Sequence, residues 1–211
     1  MTFKDRVAAG RRLAEALAQL RGSNVVVLGL PRGGVPVAFE VARALDAPLD
    51  VIVVQKVGVP WQPELAMGAV GEDGASTINP AVVRAAAVDP RELAAAQAPA
   101  RVEVDRRARL LRGGRPRVQL EGRTAVIVDD GVATGSTARA ACWVAHAHGA
   151  ARIVVAVPVA PPSAVAVLSE VADEVVCLRQ PRRFEAVGQF YRAFAPTTDD
   201  EVVDLLHKAA G

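Results

Sequence analysis

Five short apolar runs constrain this chain more than any other feature. They are NVVVLGL (Asn24–Leu30), LDVIVVQ (Leu49–Gln55), TAVIVDD (Thr124–Asp130), RIVVAVPVA (Arg152–Ala160) and DEVVCL (Asp173–Leu178). None alternates apolar with polar residues. Neither face is left for water, which is the pattern of a strand buried on both sides of a parallel sheet. Helical stretches separate the runs: Val35 to Leu45, a segment ending near His148 with Gly149 as C-cap, and PPSAVAVLSEVA. Alternating buried strands and helices predict an α/β fold, a doubly wound parallel five-stranded sheet with right-handed crossovers. An amphipathic helix over Thr2–Leu20, with capping-box spacing between Thr2 and Asp5, precedes the first strand, and a capping box at Thr198 and Glu201 opens the last helix.

The alternation breaks after the second run. Residues 57–117 are read as an excursion from the sheet. It holds a hairpin signal at Asp73-Gly74 and a strong helix start at Asp89-Pro90-Arg91-Glu92. That helix is expected to kink or restart at Pro99. It runs into the basic residues Arg106, Arg107, Arg109, Arg112, Arg115 and Arg117. With 211 residues, 51% of them hydrophobic, the chain suits one domain.

Composition removes several function classes. A net charge of +2 is too balanced for a nucleic-acid coat, and 4% aromatics is too few for a base-stacking platform. Cys142 and Cys177 form no CxxC pair and read as buried free thiols. No apolar run reaches the ~20 residues of a membrane span. The first residues carry no secretory apolar core, so the expected location is cytoplasmic. His146 and His148 point to different helix faces and His207 is isolated, so no metal site is built from the protein alone.

In doubly wound sheets, ligands bind beyond the carboxyl ends of strands where the strand order reverses. Two glycine-marked turns are candidates, Leu30–Gly34 and Asp130–Thr137. In the second, Gly131 and Gly135 are expected to take positive φ. The amides of Ala133, Thr134, Gly135, Ser136 and Thr137 then open a helix without intrahelical acceptors. That makes an anion site which a phosphate monoester fits. It is neither a Walker A loop nor GxGxxG. Asp129 and Asp130 stand one step earlier. They would repel a phosphate, so they should address vicinal sugar hydroxyls or a ligand-held Mg²⁺. A ribose 5-phosphate matches both halves.

Ala125–Thr137 (AVIVDDGVATGST) resembles the phosphoribosyl-diphosphate (PRPP) signature of type I phosphoribosyltransferases. Gly131 departs from it, since an aliphatic residue is usual there, and is expected to affect loop flexibility only. LPRGG, PELAMGAV, DDGVATG and EAVGQFY extend the likeness over nearly the whole chain, to a bacterial subgroup with no assigned acceptor. The resemblance implies that Pro31, Arg32, Gly33 and Gly34 bind pyrophosphate, often through a strained peptide in this family. Lys56 would add charge there. Residues 57–117 would form a flap, and 179–196 a small C-terminal hood in which Phe184, Phe190 or Tyr191 stacks on a base. Asp129 and Asp130 would hold the ribose and, directly or indirectly, Mg²⁺. The basic run reaches phosphates, serves a subunit interface or is a solvated helix face.

The implied reaction is displacement of pyrophosphate from PRPP by a nitrogen nucleophile. The acceptor is expected to be a nucleobase. The 6-oxopurine enzymes carry an aspartate where this chain has Ala133, so weak or no activity on hypoxanthine and guanine is expected. A homodimer is expected by resemblance, and nucleic acid and membrane partners are not. Two other readings stay open: a catalytically weak PRPP-sensing regulator, and a flavodoxin-like nucleotide-binding domain in which the Asp pair is incidental.

Overall fold

The computed structural model describes residues 2–210. Helix α1 spans Arg6–Ala16, so it starts later than the expected Thr2 and the capping box expected of Thr2 and Asp5 does not open it. Asp5, not Thr2, accepts the Ala8 amide at 2.8 Å. Residues before it are used differently, with Phe3 bridging to Tyr191 near the other end of the chain. A 3₁₀ turn at Ala18–Leu20 leads into β1 (Val25–Gly29), α2 (Gly34–Leu45) and β2 (Leu49–Val51).

The second apolar run divides. Leu49–Val51 joins the main sheet, and the chain then leaves it. Strand β3 (Val54–Val59) turns at Pro60 and Trp61 into β4 (Gln62–Gly71), antiparallel to it, and β5 (Ser76–Ile78) pairs with β4. The Asp73-Gly74 turn joins β4 to β5, where both residues take positive φ. The β3–β4 hairpin carries a bulge near Gly58. A side chain at Gly58 would run into the Pro63 backbone, so glycine there permits the bulge. The excursion is thus a folded three-stranded sheet with helices α3 (Pro80–Ala85) and α4 (Pro90–Arg112).

Helix α4 has the complete capping box: Asp89 accepts from Arg91 and Glu92 accepts from the Asp89 amide. Pro99 lies inside it without ending it. One lost backbone hydrogen bond is outweighed where the helix packs on β3, β4 and α7. Then follow β6 (Thr124–Val128), α5 (Ser136–Ala147), β7 (Arg152–Val157), α6 (Pro162–Ser169), β8 (Glu174–Cys177) and α7 (Asp199–Ala210).

The main sheet is parallel throughout, in the order β2-β1-β6-β7-β8. Every residue of β1 is buried, as are the last four of β6. Strand order reverses between β1 and β6, so their following loops leave the same edge side by side.

The basic run is dispersed by this fold. Arg112 is buried and cannot reach a phosphate. Its Nε lies 2.8 Å from Asp50 and its Nη atoms hold Glu72 and the Val51 carbonyl. Arg115 donates to the Leu206 carbonyl at 2.6 Å, Arg117 pairs with Asp73 and Arg106 with Glu103. No helix among the described residues is long and apolar enough to cross a membrane. Cys142 is buried and its thiol pKa is pushed up to about 12 by burial, while Cys177 is half-buried.

Candidate active site

The loops after β1 and β6 touch. The Leu30 amide donates to the Val128 carbonyl at 2.8 Å, which fixes their register. A Cβ on Gly34 would sit 2.6 Å from the Val128 oxygen and 2.9 Å from the Asp129 Cα. A Cβ on Gly33 would collide with the Asp130 carboxylate. Gly34 is required by this approach, since a side chain there would meet the backbone of the other loop, and a side chain at Gly33 would displace the Asp130 carboxylate. Pro31–Arg32 is a cis peptide. The LPRGG segment and the two acids therefore form one surface.

Asp129 is half-buried and accepts the Asp130 amide at 2.8 Å. Its pKa is raised well above the ordinary carboxylate value, first by burial and then by the charge of Asp130. Asp130 is also raised by burial, against the opposing pull of Arg6. Arg6 Nε lies 2.8 Å from Asp130 Oδ2, and Arg6 Nη1 donates to the Ala195 carbonyl at 2.6 Å. The guanidinium also covers the Phe194 ring at 3.9 Å. A Cβ on Gly33 would come within 3.4 Å of Arg6 Nη2, so this arginine borders both loops. Sequence reasoning missed Arg6. It lies on the first helix, over a hundred residues from the acids, and no local pattern marks it.

Beyond the acids, Gly135 takes φ of +83° and caps α5, as expected for the anion loop. Ala133, Thr134 and Thr137 are exposed and Ser136 is half-buried. The Thr134 and Ser136 hydroxyls lie 3.0 Å apart. Gly131 differs from expectation, because its φ is not positive. Its glycine is a matter of space: a Cβ would lie 2.5 Å from Val187 and 2.9 Å from Val159. Val187 fills the volume an aliphatic residue at 131 would take, so the position serves packing and not loop flexibility.

The two expected pyrophosphate cations are held by acids. Arg32 is half exposed and lies 3.7 Å from Asp199, and Lys56 lies 3.4 Å from Glu64. Exposed pairs like these are worth roughly 0–1 kcal/mol, so a ligand displaces them at little cost.

The hood rings divide. Phe190 and Tyr191 are each only 7% exposed, in a cluster with Phe3, Ala9 and Val159, so neither offers a face to a base. Tyr191 instead donates its hydroxyl to the Asp130 carbonyl, and its pKa is raised, first by burial. It braces the acidic loop. Phe184, half-buried and stacked on Phe190 at 5.4 Å, keeps access.

Among the described residues, no cluster of three or more acidic, histidine or cysteine side chains forms a metal cage. Asp129 and Asp130 supply oxygen donors only. That suits Mg²⁺ bound by one or two carboxylates together with ligand oxygens.

Comparison with known proteins gives the family. The family model for the phosphoribosyl transferase domain matches residues 3–194. A Mycobacterium tuberculosis H37Rv protein named "Putative phosphoribosyl transferase Rv0571c" is 59% identical over 207 residues, 98% of this chain. The chain spans 47% of that relative's length. The crystal structure of TT1426 from Thermus thermophilus is 49% identical, covers 100% of both chains and superposes with a TM-score of 0.93. The switch-point loops, the acidic pair and the match over almost the whole chain lead to one assignment: the chain belongs to the phosphoribosyl transferase domain family.

Proposed function

We propose that this chain binds PRPP with Mg²⁺ across the β1 and β6 loops and transfers its phosphoribosyl group to a nitrogen nucleophile. The observation that carries the reading is the contact of Gly33 and Gly34 with Asp129 and Asp130. One ligand can reach both loops only if they abut. The amides of 133–137, with the hydroxyls of Thr134, Ser136 and Thr137, would take the 5-phosphate. Asp129 and Asp130 would accept the ribose hydroxyls and orient C1. The LPRGG amides and Arg32, with Lys56, would receive the pyrophosphate. A bound Mg²⁺ would supply charge neutralisation on the phosphate oxygens.

In the step itself the nucleophile's lone pair forms the N–C1 bond. The C1–O electron pair leaves with pyrophosphate, and any N–H proton passes to pyrophosphate or water. The chain's part is to orient the sugar and hold the leaving group in fixed dipoles. The 54–78 hairpin sheet, with Trp61 exposed at its tip, suits a cover that excludes water. Ala133 leaves no acid to exchange a proton with a 6-oxopurine, so neither hypoxanthine nor guanine should be accepted.

The test is calorimetric titration with PRPP and Mg²⁺, alongside the Asp129→Asn/Asp130→Asn double variant. Binding that vanishes in a folded double variant supports the reading. Absence of heat and of any thermal shift in the wild-type protein overturns it. Binding without pyrophosphate release from any acceptor would favour the regulatory alternative.

A further inference from the structure

The fold disperses the basic run, yet four of its members return to one place. Arg109, Arg112, Arg115 and Arg117 line a cavity of about 480 Å³, bounded by the end of α4, the β4–β5 turn and the segment that returns to β6. This cavity lies away from the acidic pair. Helix α5 starts at the glycine loop, and its 12 residues carry the chain about 18 Å from it. His148, just past the far end of α5, shares a small neighbouring space with Arg117 and Glu72.

Three acids share the cavity wall, and two of them are already held. Glu72 is taken by Arg112, and Asp73 by Arg117 Nε. Arg112 is itself fully engaged by Asp50, Glu72 and the Val51 carbonyl. Arg109 is exposed and makes no ion pair among the described residues. Arg115 donates Nε and Nη1 to the Arg112 and Leu206 carbonyls, which fix its guanidinium without neutralising it. Against these two cations stands Asp105, half-buried and without an ion pair among the described residues. A concavity with excess positive charge and low-dielectric walls concentrates anions. His148 senses the same field. Its pKa is lowered, first by burial and then by Arg117, with Arg112 adding to the effect and Asp73 opposing it.

We propose that this cavity is a second ligand site, separate from the β1 and β6 loops, that takes the phosphate group of a small phosphorylated molecule. Arg109 and Arg117 meet the phosphate oxygens on either side of the fixed Arg115. The planar guanidinium fork matches phosphate with paired, charge-assisted hydrogen bonds. The cavity falls in the range of small-molecule sites, roughly 300–1,000 Å³, so it holds more than a bare phosphate. Asp105 and Gln119, on the remaining wall, accept from and donate to hydroxyls of the rest of the molecule. No bond is made or broken there, and the occupant is not a reactant of the transfer. It rests against Arg112, the tie between the insertion and β2.

The experiment uses the full chain and reads the imidazole of His148 by proton NMR, with the exposed His146 as control. Ribose 5-phosphate, inorganic phosphate or ribose is added at constant ionic strength held with chloride. Ribose 5-phosphate should move the His148 signal saturably and raise its pKa, because an anion offsets Arg117, while His146 stays in place. Inorganic phosphate should act more weakly and ribose not at all. Arg109→Gln should weaken the His148 response to ribose 5-phosphate by roughly 10-fold, the scale of one hydrogen bond to a charged group, and Arg109→Glu should abolish it. Both replace an exposed, unpaired side chain, so an unchanged melting temperature reports that they are folded. Asp129→Asn/Asp130→Asn should leave the response intact. No His148 response beyond that of chloride, ribose 5-phosphate binding no tighter than inorganic phosphate, or a response that survives Arg109→Glu overturns the inference. So does a response that disappears in Asp129→Asn/Asp130→Asn, since the ligand would then be bound at the loops. If PRPP fails to bind the wild-type protein while His148 still responds, the transfer reading falls and this site stands.

Discussion

Two places in this molecule hold two carboxylates and one arginine, and they are built to opposite ends. In the first, Arg112 lies between Asp50 and Glu72, all three buried. Every carboxylate oxygen there is engaged. Asp50 also accepts the Val51 and Val118 amides, and Glu72 the Val53 amide. In the second, Arg6 holds one oxygen of Asp130, and Asp129 makes no ion pair among the described residues. A saturated cluster pins the insertion to β2 and to the segment that returns to β6. An unsaturated one leaves acceptor oxygens open, which is what the proposed PRPP site requires. The same three side-chain types are saturated or left open according to how many of their hydrogen bonds the fold completes.

The largest effects should separate the two clusters by readout. Asp129→Asn/Asp130→Asn should lower PRPP affinity by at least about 100-fold, the scale of losing several hydrogen bonds to charged groups. It should leave the melting temperature unchanged or higher, because burial and mutual repulsion oppose the ionised Asp129 and Asp130 side chains. Arg112→Leu should do the reverse. It strands two buried acids, at a cost of roughly 3–5 kcal/mol in chemical denaturation. A PRPP affinity that collapses while the surviving folded Arg112→Leu fraction is titrated would break the comparison.

Gly33→Ala comes next. Its methyl would strike the Asp130 carboxylate, so PRPP affinity should fall about tenfold or more through misplaced loops while stability falls by about 1–3 kcal/mol, the usual overpacking cost. Gly131→Ala should instead act on packing against Val187 and Val159, with the larger change in melting temperature. Equal effects of the two on PRPP binding would mean that the loops do not share one ligand.

The smallest effect is a pH slope. Burial and Asp130 raise the Asp129 pKa in the folded state above its unfolded value. Between those two values the folded state binds more proton, so stability falls as pH rises through the window. Burial likewise raises Glu72, although Arg112 opposes it. In Asp129→Asn the Asp129 share of that slope should disappear from melting curves taken across the mildly acidic range, and the Glu72 share should remain. PRPP and Mg²⁺ favour ionised carboxylates, so their binding to the wild-type protein should release protons and strengthen with pH. Calorimetry in buffers of differing ionisation enthalpy reads that release.

Legibility followed range. The parallel sheet could be read from runs such as Ala125–Val128, because a strand buried on both faces writes its environment into consecutive residues. The turn that opens α5 could be read because Gly135, the flanking hydroxyl residues and the acids are neighbours in sequence. The β3–β4 hairpin was not legible: Gly58, Pro60 and Pro63 look like loop residues until a partner strand shows that they make a bulge and a turn. Arg112 looked like one basic residue among six, and only Asp50 and Glu72, distant in sequence, made it a buried tie.

The sequence by itself determined the sheet and the adjoining switch-point loops, because these depend on local pattern and on residues a few positions apart. Tertiary structure decided the rest. It turned Phe190 and Tyr191 inward and left Phe184 half-buried, gave Gly131 a packing role, brought Arg6 to Asp130, and left Arg179 Nη1 without a hydrogen-bond partner among the described residues. The physical reason is common to all four. Burial, pairing and vacancy are properties of what surrounds a side chain, and those surroundings arrive from elements far away in the chain.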